Sequence, residues 1–484
     1  MPLRIFLIAI LFFYACSPSK QISRSAQKEV INDPSLQSAH VGISIFDPAT
    51  GKYIYNYQGD KFFVPASNIK IPTCYVAMKY LGDSLPGLKF GFSQDSTLIG
   101  IQPTGDPSFL HPDFVYQPSF EYLRNQARKR KYKFALSDTI WKDERWGNGW
   151  SWNDYDASYM AERNSFPVFG NVFTIKPIAL EKRDYSDLNG MFPKIKLFQT
   201  VPGYFDEAVN EANYRNLPKE VFYQPEMRVQ IRRKIDKNNF LPGESSVSFK
   251  GIQLPFVTNG AETSMLILED SLQIKMGTLY PDRDDVPKVV GHGMYLSPSM
   301  TNYYANIDDW QTIYSQPTDS VLKPMMHRSD NFFAEQMLLM VSNQLLGVMN
   351  VQQVVDSIMK TDFSDLPQKP RWADGSGLSR YNLFTPQDMV SILHKMEKEF
   401  GMERIKEIFP TGNEGTLRNY YVAEEGLLYA KTGTLSGVVA ISGFLQTSKG
   451  QPLIFSVLVN NHRAAASEVR RAVERFLQQL RVGF

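Results

Sequence analysis

The sequence predicts an α/β chain whose main layer is assembled from both ends and split by a large β-rich insertion. Three observations lead there. A helix opens at Val64-Pro65-Ala66-Ser67-Asn68-Ile69-Lys70-Ile71-Pro72, paired strands and an amphipathic helix close the C-terminus, and a long region of short strand-like runs and turns lies between. At 484 residues, 43% hydrophobic and 21% charged, the chain exceeds one ordinary core and reads as globular, with two or three domains. A net charge of +2 points to no polyanionic partner. The basic run at 128–133 reads as a solvated helix face, and no nucleic-acid motif accompanies it, so no nucleic-acid partner is expected.

Taken in order, residues 1–15 carry Arg4, an apolar run at 5–13 and the small residue Ala15 before Cys16. This is a secretory signal, too short to span a bilayer stably. A cysteine at that point predicts processing before Cys16 and acylation on it: an exported, periplasmic protein held to a membrane by a lipid anchor. The alternative is an ordinary cleaved signal with an incidental cysteine. Residues 16–35 are polar and suit a tether. The other cysteine, Cys74, lies two helical turns after Ser67 and is expected to be buried, leaving no disulfide. The six histidines show no ligand spacing, so neither a metal nor a cofactor is expected.

Residues 41–57 alternate around Asp47-Pro48-Ala49-Thr50-Gly51, which predicts a hairpin with Val41, Ile43 and Ile45 on one face. The insertion is placed at 92–305, between catalytic segments 36–91 and 306–484. Within it, Ser246-Val247-Ser248-Phe249 and Met265-Leu266-Ile267-Leu268 read as strand-like runs, and Gly105-Asp106-Pro107 as a turn. Trp150, Trp152 and Tyr155 are read equally well as core aromatics or as part of a site. From 306 onward the helical pattern returns. Helices are predicted at 331–346, from the Thr385-Pro386 cap to about Glu399, and at 465–480, with paired strands at 437–444 and 452–460.

The chemistry begins at Ser67. A hydroxyl is a poor nucleophile at neutral pH and needs a neighbour to take its proton; Lys70, one turn on, can do so if burial or nearby charge lowers its pKa. Free N–H groups at the helix start can also stabilise developing negative charge. Alone, a serine three residues before a lysine is better read as a capped, solvated helix start. Two further segments remove that ambiguity: His327-Arg328-Ser329-Asp330-Asn331-Phe332-Phe333-Ala334-Glu335-Gln336 and Tyr429-Ala430-Lys431-Thr432-Gly433-Thr434-Leu435-Ser436-Gly437. Ser-x-x-Lys, Ser-Asp-Asn and Lys-Thr-Gly in that order are the set found in class A β-lactamases and penicillin-binding proteins.

With Asp374-Gly375-Ser376-Gly377-Leu378-Ser379-Arg380 and Gly149-Trp150-Ser151-Trp152-Asn153-Asp154 added, the chain from about residue 36 onward resembles the class C low-molecular-mass penicillin-binding proteins. These are D-alanyl-D-alanine carboxypeptidases/endopeptidases. The interval from Ser67 to Ser329 is far longer than a single-domain β-lactamase needs. The resemblance implies a penicillin-binding/β-lactamase-like serine transpeptidase fold and acyl transfer from peptidoglycan stem peptides to Ser67. It implies Lys70 as base, Ser329 as proton relay, Asn331 as a holder of Lys70 or substrate, and Lys431 as a second cation that depresses the Lys70 pKa. It also implies that Thr432 and Thr434 grip the terminal carboxylate while Gly433 admits substrate backbone. The far end of diaminopimelate would lie at Asp154, Tyr159 and Arg380, with Ser436 where some relatives carry glutamine. β-Lactams, which mimic this substrate, would trap Ser67. The competing readings are a β-lactamase or esterase on the same scaffold, and a non-catalytic penicilloyl sensor or wall-binding lipoprotein.

Overall fold

A computed structural model describes residues 18–178, 198–216, 229–274, 277–279, 294–295, 307 and 309–483. The signal segment and Cys16 lie outside these residues. The catalytic layer is a five-stranded antiparallel sheet ordered β14 (Leu428–Leu435), β15 (Val438–Gln446), β16 (Pro452–Asn460), β1 (His40–Asp47) and β2 (Lys52–Tyr57). The hairpin β1–β2 pairs Ile43 with Tyr57 and Ile45 with Tyr55, so β2 forms one edge and β14, with the Lys-Thr-Gly sequence, the other.

Alternation sorts β1 onto two cores. Val41, Ile43 and Ile45 face the closing helix α10 (Ala466–Gly483), while Phe46 faces the opposite helical layer. That layer contains α2 (Lys70–Tyr80), α6 (Thr318–His327), α7 (Asn331–Leu346), α8 (Val351–Lys360) and α9 (Pro386–Ile408). Thr385 and Asp388 form a reciprocal capping box at the start of α9, which runs on to Ile408 past the expected end, across a break at Gly401 (φ +75°). Asp330 caps α7, its carboxylate accepting from the Phe333 amide, and Ser329 just before it sits at φ +61°.

The stretch expected to be a tether folds instead. α1 (Pro18–Ala26) packs on α10, with Ile22, Ala26 and the following Val30 buried. Polar composition hid an apolar spacing of four residues from Ile22 to Ala26 to Val30, enough for one buried stripe.

Between α2 and α6 lies a second core. Its largest sheet, ordered β12 (Met294–Tyr295), β11 (Gly277–Leu279), β5 (Lys133–Ser137), β4 (Leu98–Pro103), β3 (Ser84–Phe92) and β13 (Gln311–Pro317), takes strands from either side of the 92–305 segment. α3 (Pro118–Arg128), a three-stranded sheet of β10 (Ile252–Pro255), β6 (Val172–Pro177) and β7 (Phe198–Val201), α4 (Asp206–Asn216) and the hairpin β8 (Val229–Lys234)–β9 (Lys237–Glu244) complete it. Met265 to Leu268, expected as a strand, lies within helix α5 (Glu262–Leu272). A four-residue apolar run carries no period, and here it buries Met265, Ile267 and Leu268 from a helix. Ser246 to Phe249 forms no strand. Trp152 stands 72% exposed, which removes it from the core.

Candidate active site

Ser67 lies on a 3-10 turn, Ala66–Ile69, that feeds directly into α2. This turn is held against the sheet edge. The Asn68 side chain donates to the Lys431 carbonyl (2.8 Å) and accepts from the Ser442 hydroxyl (2.6 Å). Two glycines permit the fit. A Cβ at Gly433 would meet the Pro65 carbonyl oxygen at 2.6 Å, and one at Gly377, where φ is +87°, would meet the Ala66 carbonyl oxygen at 2.0 Å.

Lys70, the first residue of α2, is fully buried. Its Nζ reaches the Asn331 Oδ1 (2.7 Å), the Ser376 carbonyl (2.7 Å) and the Ser67 Oγ (3.2 Å). The first two oxygens can only accept. Once one proton leaves the ammonium, they hold the remaining two N–H groups and the lone pair faces the Ser67 hydroxyl. The Asn331 amide is oriented for this, because its Nδ2 donates to the Tyr159 carbonyl (2.9 Å). Burial lowers the Lys70 pKa to about 8, against the opposing fields of Asp374, Asp330 and Glu335.

Lys431, also buried, donates to the Ser329 Oγ (3.0 Å) and to the Thr432 carbonyl (2.8 Å). Its pKa is pushed well down, first by burial and then by the positive charges of Lys70 and Arg470. Desolvation is the main cause of the Lys70 depression, and the repulsion between the two buried ammonium groups acts on both. Thr432 also departs from expectation. Its hydroxyl donates to the Thr416 Oγ1 (2.7 Å) on the face of β14 opposite Lys431, and of the two threonines on that face only Thr434, nearer the strand end, borders the cleft.

The cleft above Ser67, about 710 Å³, is lined by Ser329, Asn331, Asp154, Tyr159, Arg380 and Thr434 among others, so residues far apart in sequence meet there. That volume suits a short peptide. Burial, followed by a hydrogen bond with Asp154, raises the Tyr159 pKa. The Arg380 guanidinium donates to the Ser436 carbonyl (3.0 Å). Among the described residues, no cluster of three or more His, Cys, Asp or Glu is arranged to hold a metal ion.

Sequence reasoning missed the layer behind Lys70. The Ser376 segment is held by Glu335, whose Oε1 accepts from the Ser376 amide (2.8 Å), and by Asp374, which accepts from the Gly377 amide (2.9 Å) and the Trp150 indole N–H (2.9 Å). Glu335 receives the Arg163 guanidinium (3.2 Å), a residue of the second core that also binds Asp143 (2.9 Å). Burial, with Asp374 nearby, raises the Glu335 pKa to about 7. Glu335 and Asp374 stood in quoted motifs without a role; nothing in the sequence marked Arg163.

The sequence profile of the D-Ala-D-Ala carboxypeptidase 3 (S13) family matches residues 24–185 and 310–480. The chain is 25% identical over 472 residues to a D-alanyl-D-alanine carboxypeptidase of an Actinomadura species, spanning 90% of this chain and 80% of the relative. It is 24% identical to the D-alanyl-D-alanine carboxypeptidase DacB of Haemophilus influenzae over 473 residues, 90% of this chain and 89% of that one. The crystal structure of penicillin binding protein 4 from H. influenzae superposes with a TM-score of 0.65 at 20% identity, covering 95% of this chain and 98% of that one. The penicillin-binding fold expected from the motifs is the fold observed.

Proposed function

The chain belongs to the S13 family of D-Ala-D-Ala carboxypeptidases and is a serine peptidase, and from that premise we propose how its residues divide the work. Ser67 attacks the carbonyl of the penultimate D-alanine in a peptidoglycan stem peptide. Lys70 takes the hydroxyl proton, the leaving amine is protonated through Ser329 and Lys431, and water hydrolyses the acyl-enzyme. The Ser67 and Thr434 amides receive the oxyanion. The observation that carries this reading is the placement of Lys70, with two fixed acceptors and Ser67 around one buried amine. β-Lactams acylate the same serine.

The test is mass spectrometry of the wild-type protein after incubation with penicillin G and, separately, with a diaminopimelate-containing muropeptide ending in D-Ala-D-Ala. A penicilloyl adduct on the peptide containing Ser67, with loss of D-alanine or cleavage of a cross-link, is the expected result. Neither adduct nor product from folded protein would overturn the reading in favour of a wall-binding role.

Asp154, Tyr159 and Arg380, which all line the cleft, form the subsite for the zwitterionic end of diaminopimelate. Asp154→Ala is expected to raise KM about tenfold for diaminopimelate peptides, the loss of one charge-assisted contact, and to leave a truncated D-Ala-D-Ala peptide unaffected. Equal changes on both substrates would exclude Asp154 from the subsite.

The protein is exported by its N-terminal signal and held at the periplasmic face of a membrane by a lipid on Cys16. Among the described residues no helix is long and apolar enough to cross a membrane. The catalytic domain is drawn from both ends of the chain, and the insertion reaches past the expected bounds of 92–305, because β3 (Ser84–Phe92) and β13 (Gln311–Pro317) belong to the sheet of the second core.

A further inference from the structure

Thr434 faces the cleft, yet its hydroxyl is not free: the Arg470 Nη2 donates to the Thr434 Oγ1 at 2.6 Å. Arg470 comes from near the N-terminal end of α10, where the helix dipole disfavours a cation. Its neighbour Arg471 is neutralised by Glu474, but among the described residues no carboxylate pairs with Arg470, which otherwise lies only over the Tyr420 ring (5.9 Å). Its charge is felt inside the site, since it helps to depress the Lys431 pKa. Thr432, the other hydroxyl expected to meet the carboxylate, is engaged by Thr416.

We propose that Arg470 is a specificity-determining positioning residue that selects substrates with a free terminal carboxylate by acting through Thr434. This inference rests on the acyl-transfer reading above. A hydroxyl has one proton, and when its oxygen accepts from a guanidinium that proton is turned away from the cation, here toward the cleft. Thr434 is thus fixed as a donor to an anion, and the Arg470 charge polarises the bond and adds its own attraction. A substrate ending in a carboxamide offers no anion and gains nothing from this pair. The arrangement favours removal of a terminal D-alanine over hydrolysis of bonds whose leaving group carries no nearby carboxylate.

The experiment compares wild type, Arg470→Ala and Arg470→Lys on two tripeptides that differ only in ending in D-Ala-D-Ala or D-Ala-D-alaninamide. A second comparison measures acylation rates with penicillin G and with its methyl ester. Arg470→Ala is expected to lower kcat/KM about 10- to 100-fold on the carboxylate substrate and to narrow the acid-to-ester ratio of penicillin acylation by the same factor. Rates on the carboxamide and the ester should hold within about twofold, and Arg470→Lys should recover part of the selectivity. Equal losses on charged and neutral partners, or no loss on either, would overturn the proposal. Failure of the underlying reading shows separately, as wild-type protein that forms no penicilloyl adduct with either compound.

Discussion

Lys70→Met is expected to slow acylation of Ser67 by about 10²–10⁴-fold, the usual contribution of a positioned general base, while leaving the fold intact. Methionine keeps the length and apolar stem of the lysine, and the buried site loses a charge that it desolvates at a cost. The Asn331 Oδ1 and the Ser376 carbonyl lose a donor, yet Asn331 retains its bond to the Tyr159 carbonyl and Ser376 its bond to Glu335. The pH profile gives a sharper test. Because the Lys70 pKa is lowered to about 8, only roughly a tenth of the amine is neutral at pH 7. Acylation by wild type should therefore rise with pH through a limb centred near 8 and level off above it, and the residual rate of Lys70→Met should lack that limb. Stopped-flow acylation by a chromogenic β-lactam from pH 6 to 9.5 measures both. An unchanged limb in the variant would assign the titration to another group.

Arg163→Met is expected to destabilise the protein by about 3–5 kcal/mol, the usual consequence of removing one partner from a buried ion pair. Arg163 and Glu335 are 3% and 1% exposed, and they join the second core to α7 beneath the catalytic lysine. The loss should depend on pH with a definite sign. The Glu335 pKa in the folded protein is raised from the usual 4.5 to about 7, so between those values the folded state binds more protons than the unfolded one. Stability contributed by the protonated acid is fully present below about 4.5 and is lost as pH rises through 7. With Arg163 gone, a protonated Glu335 is tolerated and an ionised one is not. Thermal melting should therefore show a larger deficit at pH 8 than at pH 6, and adding Glu335→Gln should recover much of the pH 8 loss. Equal deficits at both pH values would mean that Arg163 acts by packing alone.

The catalytic half was legible because its signals are local or strongly patterned. The serine–lysine turn, the Thr385 cap, the alternation of β1 and the Lys-Thr-Gly edge strand each declare themselves within a few residues. What stayed hidden has a common physical cause: pairing across long sequence intervals leaves no local trace. Arg163 meets Glu335 from 172 positions away, and Arg470 meets Thr434 from a helix that reads simply as amphipathic. Composition misled at α1, where a polar stretch buries one narrow stripe. Periodicity failed at Met265 to Leu268, where four apolar residues fit a helix as well as a strand. At Thr432 the family resemblance supplied a role, whereas the hydroxyl is engaged by Thr416, a partner 16 positions away in sequence.

The docking of α1 on α10 would set the length of any leash to a lipid on Cys16. A lipidated Cys16 would be separated from the first residue of α1, Pro18, by Ser17 alone. Extended chain spans at most about 3.6 Å per residue, so the slack is on the order of 7 Å. So anchored, the folded body would ride directly on the bilayer, and the protein's own bulk would fix the height at which the cleft meets the wall. An enzyme held in that way would graze a single stratum of peptidoglycan close to its membrane, and strands farther out would come within range only as growth or turnover carried them inward.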